Sequence, residues 1–135
     1  MKKKFSTKWL RSKQVRKQRK YRKNAPLHKK LKMMGAHLSK ELRKKYGKRS
    51  LPLRKGDEVK ILRGEFKKKT GKVSMVDIKK QFVIIEGIQR KKKEGTKVNV
   101  PFHPSNLLIQ SLALEDKKRL NVVNRNGKKK GGGGK

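Results

Sequence analysis

The apolar residues that could form a core are concentrated between Leu51 and Leu112, where they occur as short runs separated by turn residues. Basic and polar residues dominate elsewhere, and such segments cannot bury enough apolar surface to offset the entropy lost on ordering. Short apolar runs between turns are typical of a small all-β domain. The sequence therefore restricts a self-supporting core to this segment.

Five strands are predicted within it. Val59 and Ile61 share one face of the first strand, and the unbroken apolar run of the third strand indicates that it is the most buried. The predicted strands are Glu58–Leu62, Lys72–Val76, Gln81–Glu86, Thr96–Val100 and Leu107–Ile109. Five strands of this length hide their edges economically by closing into a small barrel, so the expected fold is mainly β.

Two short helices are predicted before the strands. The first follows Pro26 and ends near Gly35, and the second spans Ser39 to Tyr46. Ser39 is a favourable N-cap for the second helix, and Gly47 can end it. Each helix has only a thin apolar stripe, so we expect both to pack on the barrel or on a partner.

Three regions are therefore expected. Residues 1–50 form a basic, partly helical extension, residues 51–112 form the five-stranded barrel, and residues 113–135 form a short helix followed by a basic tail. The tail is rich in glycine and lysine, with nothing to pack, so we expect it to be disordered in isolation.

The charge of the chain implies a strongly anionic partner. Lys and Arg number 44 against 9 Asp and Glu, a formal net charge of +35. Residues 1–50 hold 21 basic residues and one acidic residue. Such a charge opposes compaction through self-repulsion unless a polyanion neutralises it. Nucleic acid, an anionic membrane or an acidic protein could each do so.

Several classes of protein are excluded. The chain has no cysteine, which rules out disulfides and thiolate sites and fits a reducing compartment. No apolar run approaches the roughly 18–20 residues that span a bilayer, so a soluble cytoplasmic protein is expected. The carboxylates are dispersed among lysines, the three histidines are scattered, and no nucleophile or phosphate-loop motif is present. We therefore expect no enzyme, no catalytic residue, no cofactor and no metal.

The strongest local signal runs from Gly56 to Val73. It reads as a strand, a glycine-bounded basic loop and a second strand, which would present backbone and cations together at a barrel rim. This pattern resembles a KOW motif, a module of ribosomal and transcription proteins. Four positions agree with the motif, namely Gly64, Lys67, Gly71 and Val73. Lys68 stands where the motif has a glycine, a departure that bears on the conformation of the loop. Taken alone, this segment could also be an ordinary hairpin with solvated lysines.

Further stretches resemble one family in order and spacing. They are Asn24–His28, Leu38–Arg43, Lys45–Gly47, Arg49–Pro52 and His103–Asn106. The family is the universal large-subunit ribosomal protein numbered twenty-four in bacteria and archaea and twenty-six in eukaryotes. The match follows the archaeal and eukaryotic form over roughly residues 15–120.

The resemblance implies an SH3-like barrel and binding near the 5′ region of large-subunit ribosomal RNA. It also implies an early role in subunit assembly and a location near the nascent-chain exit. Neighbouring large-subunit ribosomal proteins are the other expected partners, and no homo-oligomer is expected.

Candidate RNA-binding residues follow from charge and position. Lys and Arg neutralise phosphates and release condensed counterions, which supplies most of the affinity for nucleic acid. His28 and His103 are candidates for hydrogen bonds to RNA or to the chain's own backbone. The full set is Arg16, Lys17, Arg19, Lys20, Arg22, Lys23, His28, Arg43, Arg49, Lys55, Arg63, Lys67, Lys68, Lys69, Lys72 and His103. Trp9, Tyr21 and Tyr46 lie among cations and either stack on bases or pack on neighbouring helices.

Three other functions remain open at this point. A KOW-containing transcription elongation factor is the nearest, although such factors usually add a separate polymerase-binding domain. A DNA-compacting protein would share the charge without explaining the ordered family match. A membrane-disrupting protein is the least favoured, because the cations do not lie opposite a wide apolar face.

Overall fold

The computed structural model describes residues 4–125. Its strands are β1 Gly35–Leu38, β2 Ser50–Pro52, β3 Glu58–Ile61, β4 Thr70–Asp77, β5 Phe82–Lys91, β6 Lys97–Phe102 and β7 Leu107–Ser111. Its α-helices are α1 Val15–Asn24, α2 Leu27–Met33, α3 Lys40–Tyr46 and α4 Lys117–Asn124. Two 3₁₀ helices span Thr7–Arg11 and Pro104–Asn106. The predicted disordered tail, from residue 126 onward, lies outside the described residues.

The seven strands form one sheet in the order β2-β1-β7-β3-β4-β5-β6. Only the pairing of β1 with β7 is parallel. The prediction of a mainly β fold is confirmed, and the five predicted strands correspond to β3 through β7. The expected closed barrel of five strands is corrected, because the sheet has seven strands and no ladder within residues 4–125 joins its two edge strands, β2 and β6.

The two additional strands come from the segment before Leu53. In β1, Ala36 and Leu38 are buried while Gly35 and His37 are half-buried, the alternation of a strand with one face on the core. Four residues between two helices are too few to show a period in the sequence. β1 forms because β7 offers it an edge, with His37 opposite Leu108. That edge is remote in sequence, so local pattern could not reveal the strand.

The predicted helices are confirmed as α2 and α3. The Ser39 hydroxyl accepts a hydrogen bond from the Leu42 amide at 3.3 Å, which caps α3. Gly47 ends α3 with φ +62°, a left-handed conformation that suits glycine. The bounds of α1 were not predicted, because its only apolar residues are Val15 and Tyr21 and cations cover most of its circumference.

The core is drawn from the sheet and its flanking segments, with one contribution from the C-terminal helix. Val123 of α4 is 1% exposed and packs in the same cluster as the strand residues. The rest of the cluster is Met34, Ala36, Leu38, Leu51, Leu53, Val59, Ile61, Val73, Val83, Ile85, Ile88, Phe102, Leu107 and Ile109. The helix after the sheet is thus part of the folded unit.

A buried ion pair holds α4 in place. Asp57, fully buried at the start of β3, accepts hydrogen bonds from both terminal nitrogens of Arg119, at 2.5 and 2.7 Å. The Asp57 carboxylate also accepts from the backbone amides of Arg54 and Ala113, at 2.9 and 3.0 Å. Arg119 in turn donates to the carbonyls of Ala113 and Pro52, at 2.9 and 3.3 Å. Both charges are therefore paired and hydrogen-bonded, the condition under which burial of an ion pair is tolerated.

A second ion pair, Arg54 with Asp116, lies at the surface beside it. Asp116 is the N-cap of α4 and accepts from the Lys118 amide at 2.8 Å. The hydrogen bond from the Arg54 side chain, followed by the Lys118 amide, holds the pKa of Asp116 below its ordinary value. The Asp116 cap should therefore persist at neutral pH and weaken only as the pH falls through that lowered pKa.

Replacement of Arg119 should strongly destabilise the fold. Arg119→Ala leaves the Asp57 carboxylate buried without its cation, which should lower the free energy of unfolding by about 3–5 kcal/mol in urea titrations. Arg90→Ala is the matched control, because Arg90 pairs with Glu65 at side-chain exposures of 64% and 62%. That variant should lose less than about 1 kcal/mol. Equal losses for the two variants would contradict the role assigned to the buried pair.

Candidate nucleic-acid interface

All sixteen residues predicted to bind RNA are exposed in the structure. The ion pairs within residues 4–125 are Arg54 with Asp116, Arg90 with Glu65, and Arg119 with Asp57. None of these pairs uses a residue of the predicted set. The predicted cations therefore face solvent without a carboxylate partner in the part of the chain that the structure describes, which leaves them available to an external anion.

Six of the predicted cations lie together on α1. Cations occupy most of its surface, and Tyr21 is the one residue of the helix that is buried, at 4% exposure. The Tyr21 ring stacks on Phe5 with centroids 5.1 Å apart. The Gln18 amide donates to the carbonyls of Leu10 and Ser12, at 3.0 and 2.9 Å, which ties the preceding 3₁₀ helix to α1. Residues 4–24, called the head below, are thus a packed unit with a cationic surface.

The three aromatic candidates from the sequence divide into two groups. Of the two readings open for Tyr21, packing is the observed one, because the ring is enclosed by the chain itself. Trp9 is half-buried with the Lys20 ammonium 5.3 Å from its ring centroid. Tyr46 is half-buried against the core with Lys45 5.4 Å from its ring. Trp9 and Tyr46 each keep a partly accessible ring beside a cation.

A second group of predicted cations lies on the loop between β3 and β4, with Lys72 on β4 itself. The loop is closed by backbone hydrogen bonds from Lys67 to Gly64, at 3.1 Å, and from Lys68 to Ile61, at 2.9 Å. Phe66 points inward and packs edge-on against Phe102, with centroids 6.0 Å apart. The inward Phe66 anchors the loop while Lys67, Lys68 and the neighbouring lysines remain exposed.

The departure from the KOW pattern has a direct structural consequence. Lys68 adopts φ +73°, a left-handed conformation that costs an L-residue with a Cβ roughly 1–2 kcal/mol. The glycine of the motif would adopt this conformation without that cost. Gly71, which does match the motif, cannot be replaced without a steric clash, because a Cβ at this position would lie 2.7 Å from Cγ2 of Ile85.

The other predicted residues lie apart from these two groups. Arg43 on α3 donates from Nε to the Leu38 carbonyl at 2.9 Å, which fixes its stem while its head stays exposed. Arg49 precedes β2 and Lys55 lies on the turn before β3. His28 is exposed on α2. The structure therefore groups the α1 cations with one another and the loop cations with one another. It leaves His28, Arg43, Arg49 and Lys55 on separate elements.

His103 hydrogen-bonds its own chain, one of the two possibilities left open by the sequence. Its Nδ1 accepts from the Ser105 amide at 3.3 Å and lies 2.8 Å from the Ser105 hydroxyl, which caps the short helix that follows. Because a backbone N–H can only donate, Nδ1 is the acceptor and the ring proton lies on Nε2.

One cationic element was missed. β5 extends to Lys91 and pairs with β6 from Lys97, so the segment between the third and fourth predicted strands forms the outer half of a hairpin. Gln89 and Asn99 bond across it at 3.0 Å, and Gly95 turns its tip with φ +88°. Its basic residues are Arg90, Lys91, Lys92, Lys93 and Lys97. Gly95 at the tip was the available signal for a hairpin. The outer part of β5 has no apolar face, so its strand period was not visible in the sequence.

Within residues 4–125, no three His, Cys, Asp or Glu side chains gather as metal ligands would. No helix in that part of the chain is long and apolar enough to cross a membrane.

Comparison with known proteins identifies the family. Residues 12–126 match the family of ribosomal proteins described as L26 in eukaryotes and L24 in archaea. The chain belongs to this family. It is therefore a ribosomal protein and not an enzyme, as the sequence predicted.

Two relatives illustrate the similarity. The chain is 48% identical over 113 residues to the large ribosomal subunit protein uL24 of Korarchaeum cryptofilum (strain OPF8), covering 84% of this chain and 86% of the relative. It is 46% identical over 114 residues to the uL24 protein of Methanosphaera stadtmanae, covering 84% of this chain and 97% of the relative. The family match over residues 12–126 thus includes α1, the β3–β4 loop and the His103 segment.

Relief of the left-handed residue should stabilise this member of the ribosomal family. Lys68→Gly should raise the free energy of unfolding by about 0.5–1 kcal/mol, because the gain at φ +73° exceeds the entropy cost of glycine. Lys67→Gly removes the same charge without a left-handed residue to relieve, and it should lower stability by about 0.5–1 kcal/mol. Urea titrations of both variants make the comparison, and the same sign for both would contradict it.

Proposed function

We propose that the chain is a structural constituent of the large subunit of the cytoplasmic ribosome and binds large-subunit ribosomal RNA. The observation that best supports this proposal is the exposure, without carboxylate partners, of the whole predicted set of cations on α1, the β3–β4 loop and the elements between them. The relatives are named as proteins of the large ribosomal subunit, which favours the proposal over the elongation-factor, DNA-compacting and membrane alternatives.

The geometry supports a separate role for each part of the chain. The sheet is the rigid support, α1 and the β3–β4 loop contact phosphates, and the β5–β6 hairpin adds a third cationic surface. Recognition depends on the shape of folded RNA more than on base sequence, because aromatic residues are only 5% of the chain. The chain contacts the 5′ region of this RNA. It acts early in subunit assembly and lies near the exit of the nascent chain.

Two further parts of the proposal concern architecture and partners. The strands β7-β3-β4-β5-β6 form an SH3-like unit, and register shifts in three of their ladders supply the bends that such curvature requires. Residues 1–50 act as an RNA-binding extension and residues 113–135 as a helix with a basic tail. Neighbouring large-subunit proteins are the other partners, and the chain acts as a single copy.

The test of the ribosomal role is direct. Mass spectrometry of gradient-fractionated, high-salt-washed ribosomes should find the chain in the large subunit at about one copy per subunit. Salt weakens the phosphate contacts, but a protein that fits the shape of the folded RNA keeps contacts that salt does not screen. Release by the wash, or co-fractionation with RNA polymerase, would favour the elongation-factor alternative.

The role of the loop has its own test. Replacing Lys67, Lys68, Lys69 and Lys72 together by Ala should weaken binding to large-subunit RNA and flatten the dependence of log affinity on log salt. Each lost phosphate contact should reduce that slope by about 0.7–0.9.

The matched control replaces the same four lysines by Arg, which keeps the charge and should keep the slope. An unchanged slope in the alanine variant would remove the loop from the interface.

A further inference from the structure

A small cavity lies where the head meets the sheet. Its volume is about 170 Å³, below the roughly 300–1,000 Å³ of sites for drug-sized ligands. Leu10, Tyr21 and Met33 supply apolar walls. Arg22 and His103 supply polar groups from α1 and from the turn after β6. The space suits one flat ring system with a polar edge.

Two donors at this cavity have no acceptor within residues 4–125. The Arg22 guanidinium makes no ion pair or hydrogen bond within residues 4–125. His103 accepts at Nδ1 from Ser105, which leaves Nε2–H as a donor without a partner in the same described range. Two uncommitted donors beside apolar walls call for a ligand that is apolar on its faces and rich in acceptors along one edge.

The walls are fixed before any ligand arrives. Gln18 ties Leu10 to α1 through a hydrogen bond of 3.0 Å. Gln81, which also lines the cavity, holds φ +60° and donates from its amide to the Met33 sulfur at 3.1 Å. A residue with a side chain stays in the left-handed region only when the surrounding structure holds it there, and such residues cluster at binding sites. The cavity is thus part of the folded unit and not a gap between loose segments.

We propose that this cavity binds one unstacked guanine of the RNA, with Arg22 reading the O6 and N7 acceptors. The inference rests on the RNA-binding function proposed above and names a recognition site within it. Arginine paired with O6 and N7 is the commonest specific contact to guanine, and single-stranded RNA is read by extruded bases held against side chains. A phosphate fits less well, because the side chains of Leu10 and Met33 offer it no hydrogen bond.

The experiment uses the full chain and a set of RNA hairpins that differ at one bulged position. The bulge carries guanine, 7-deazaguanine, adenine, cytosine, uracil or an abasic site, and affinity is measured at one fixed salt concentration. Guanine should bind roughly 5- to 150-fold more tightly than the abasic bulge, the range expected for one bidentate contact. 7-Deazaguanine lacks N7 and should lose part of this preference.

Arg22→Lys tests the residue, because it keeps the charge but not the planar two-donor fork. The variant should lose the preference for guanine and keep its affinity for the abasic hairpin. Arg125→Lys is the matched control, since it makes the same change at an exposed residue that neither lines the cavity nor belongs to the predicted RNA-binding set. That variant should retain the full preference.

The outcomes separate this proposal from the proposed function. Equal binding of guanine and abasic hairpins, equal binding of all four bases, or identical behaviour of the two lysine variants would overturn the guanine site while leaving RNA binding intact. Absence of salt-dependent binding to every hairpin, and to large-subunit RNA itself, would overturn the proposed function instead.

Discussion

The hydrogen-bonded pair of Asp57 and Arg119 is the contact on which the arrangement of the termini depends. Asp57 is fully buried and receives four hydrogen bonds, two of them from Arg119 and two from backbone amides. Those bonds join the turn before β3, the segment after β7 and α4 in one network. Because an unpaired buried charge is strongly destabilising, the turn and the helix can hold this arrangement only together. Most of the surface cations in the described residues take no part in this network.

The separation of structural and surface charge explains how so basic a chain can hold a defined fold. A net charge of +35 opposes compaction, yet the buried core consists of apolar side chains, with one internally neutralised ion pair beside them. The remaining cations are displayed on α1, on the loop before β4 and on the β5–β6 hairpin. Self-repulsion among them is relieved when a polyanion binds, so the proposed association with RNA should also stabilise the fold.

The candidate interface was predicted to different degrees by different kinds of signal. The β3–β4 loop was found because glycines bound it, and its one mismatch, Lys68, proved to be a left-handed residue. The outer part of β5, from Gln89 to Lys91, was not predicted, since its residues are exposed and no apolar period marks them. Tyr21 could not be separated from the accessible aromatics, because its burial depends on Phe5, which is remote in sequence. Asp57 and Arg119 lie 62 positions apart, and nothing local distinguishes either from its charged neighbours.

The sequence by itself determined the mainly β class, five of the seven strands, helix α2, helix α3 with its caps, and the family. Each of these follows from short-range information, namely alternation of apolar residues, turn glycines, a capping serine and ordered motifs. Tertiary structure alone decided that β1 pairs in parallel with β7, that the sheet stays open within the described residues, and that α4 enters the core through Val123. It also decided which residues enclose the cavity at the head. The physical reason is that strand edges, buried charges and cavities are completed by partners distant in the chain, and only folding brings those partners together.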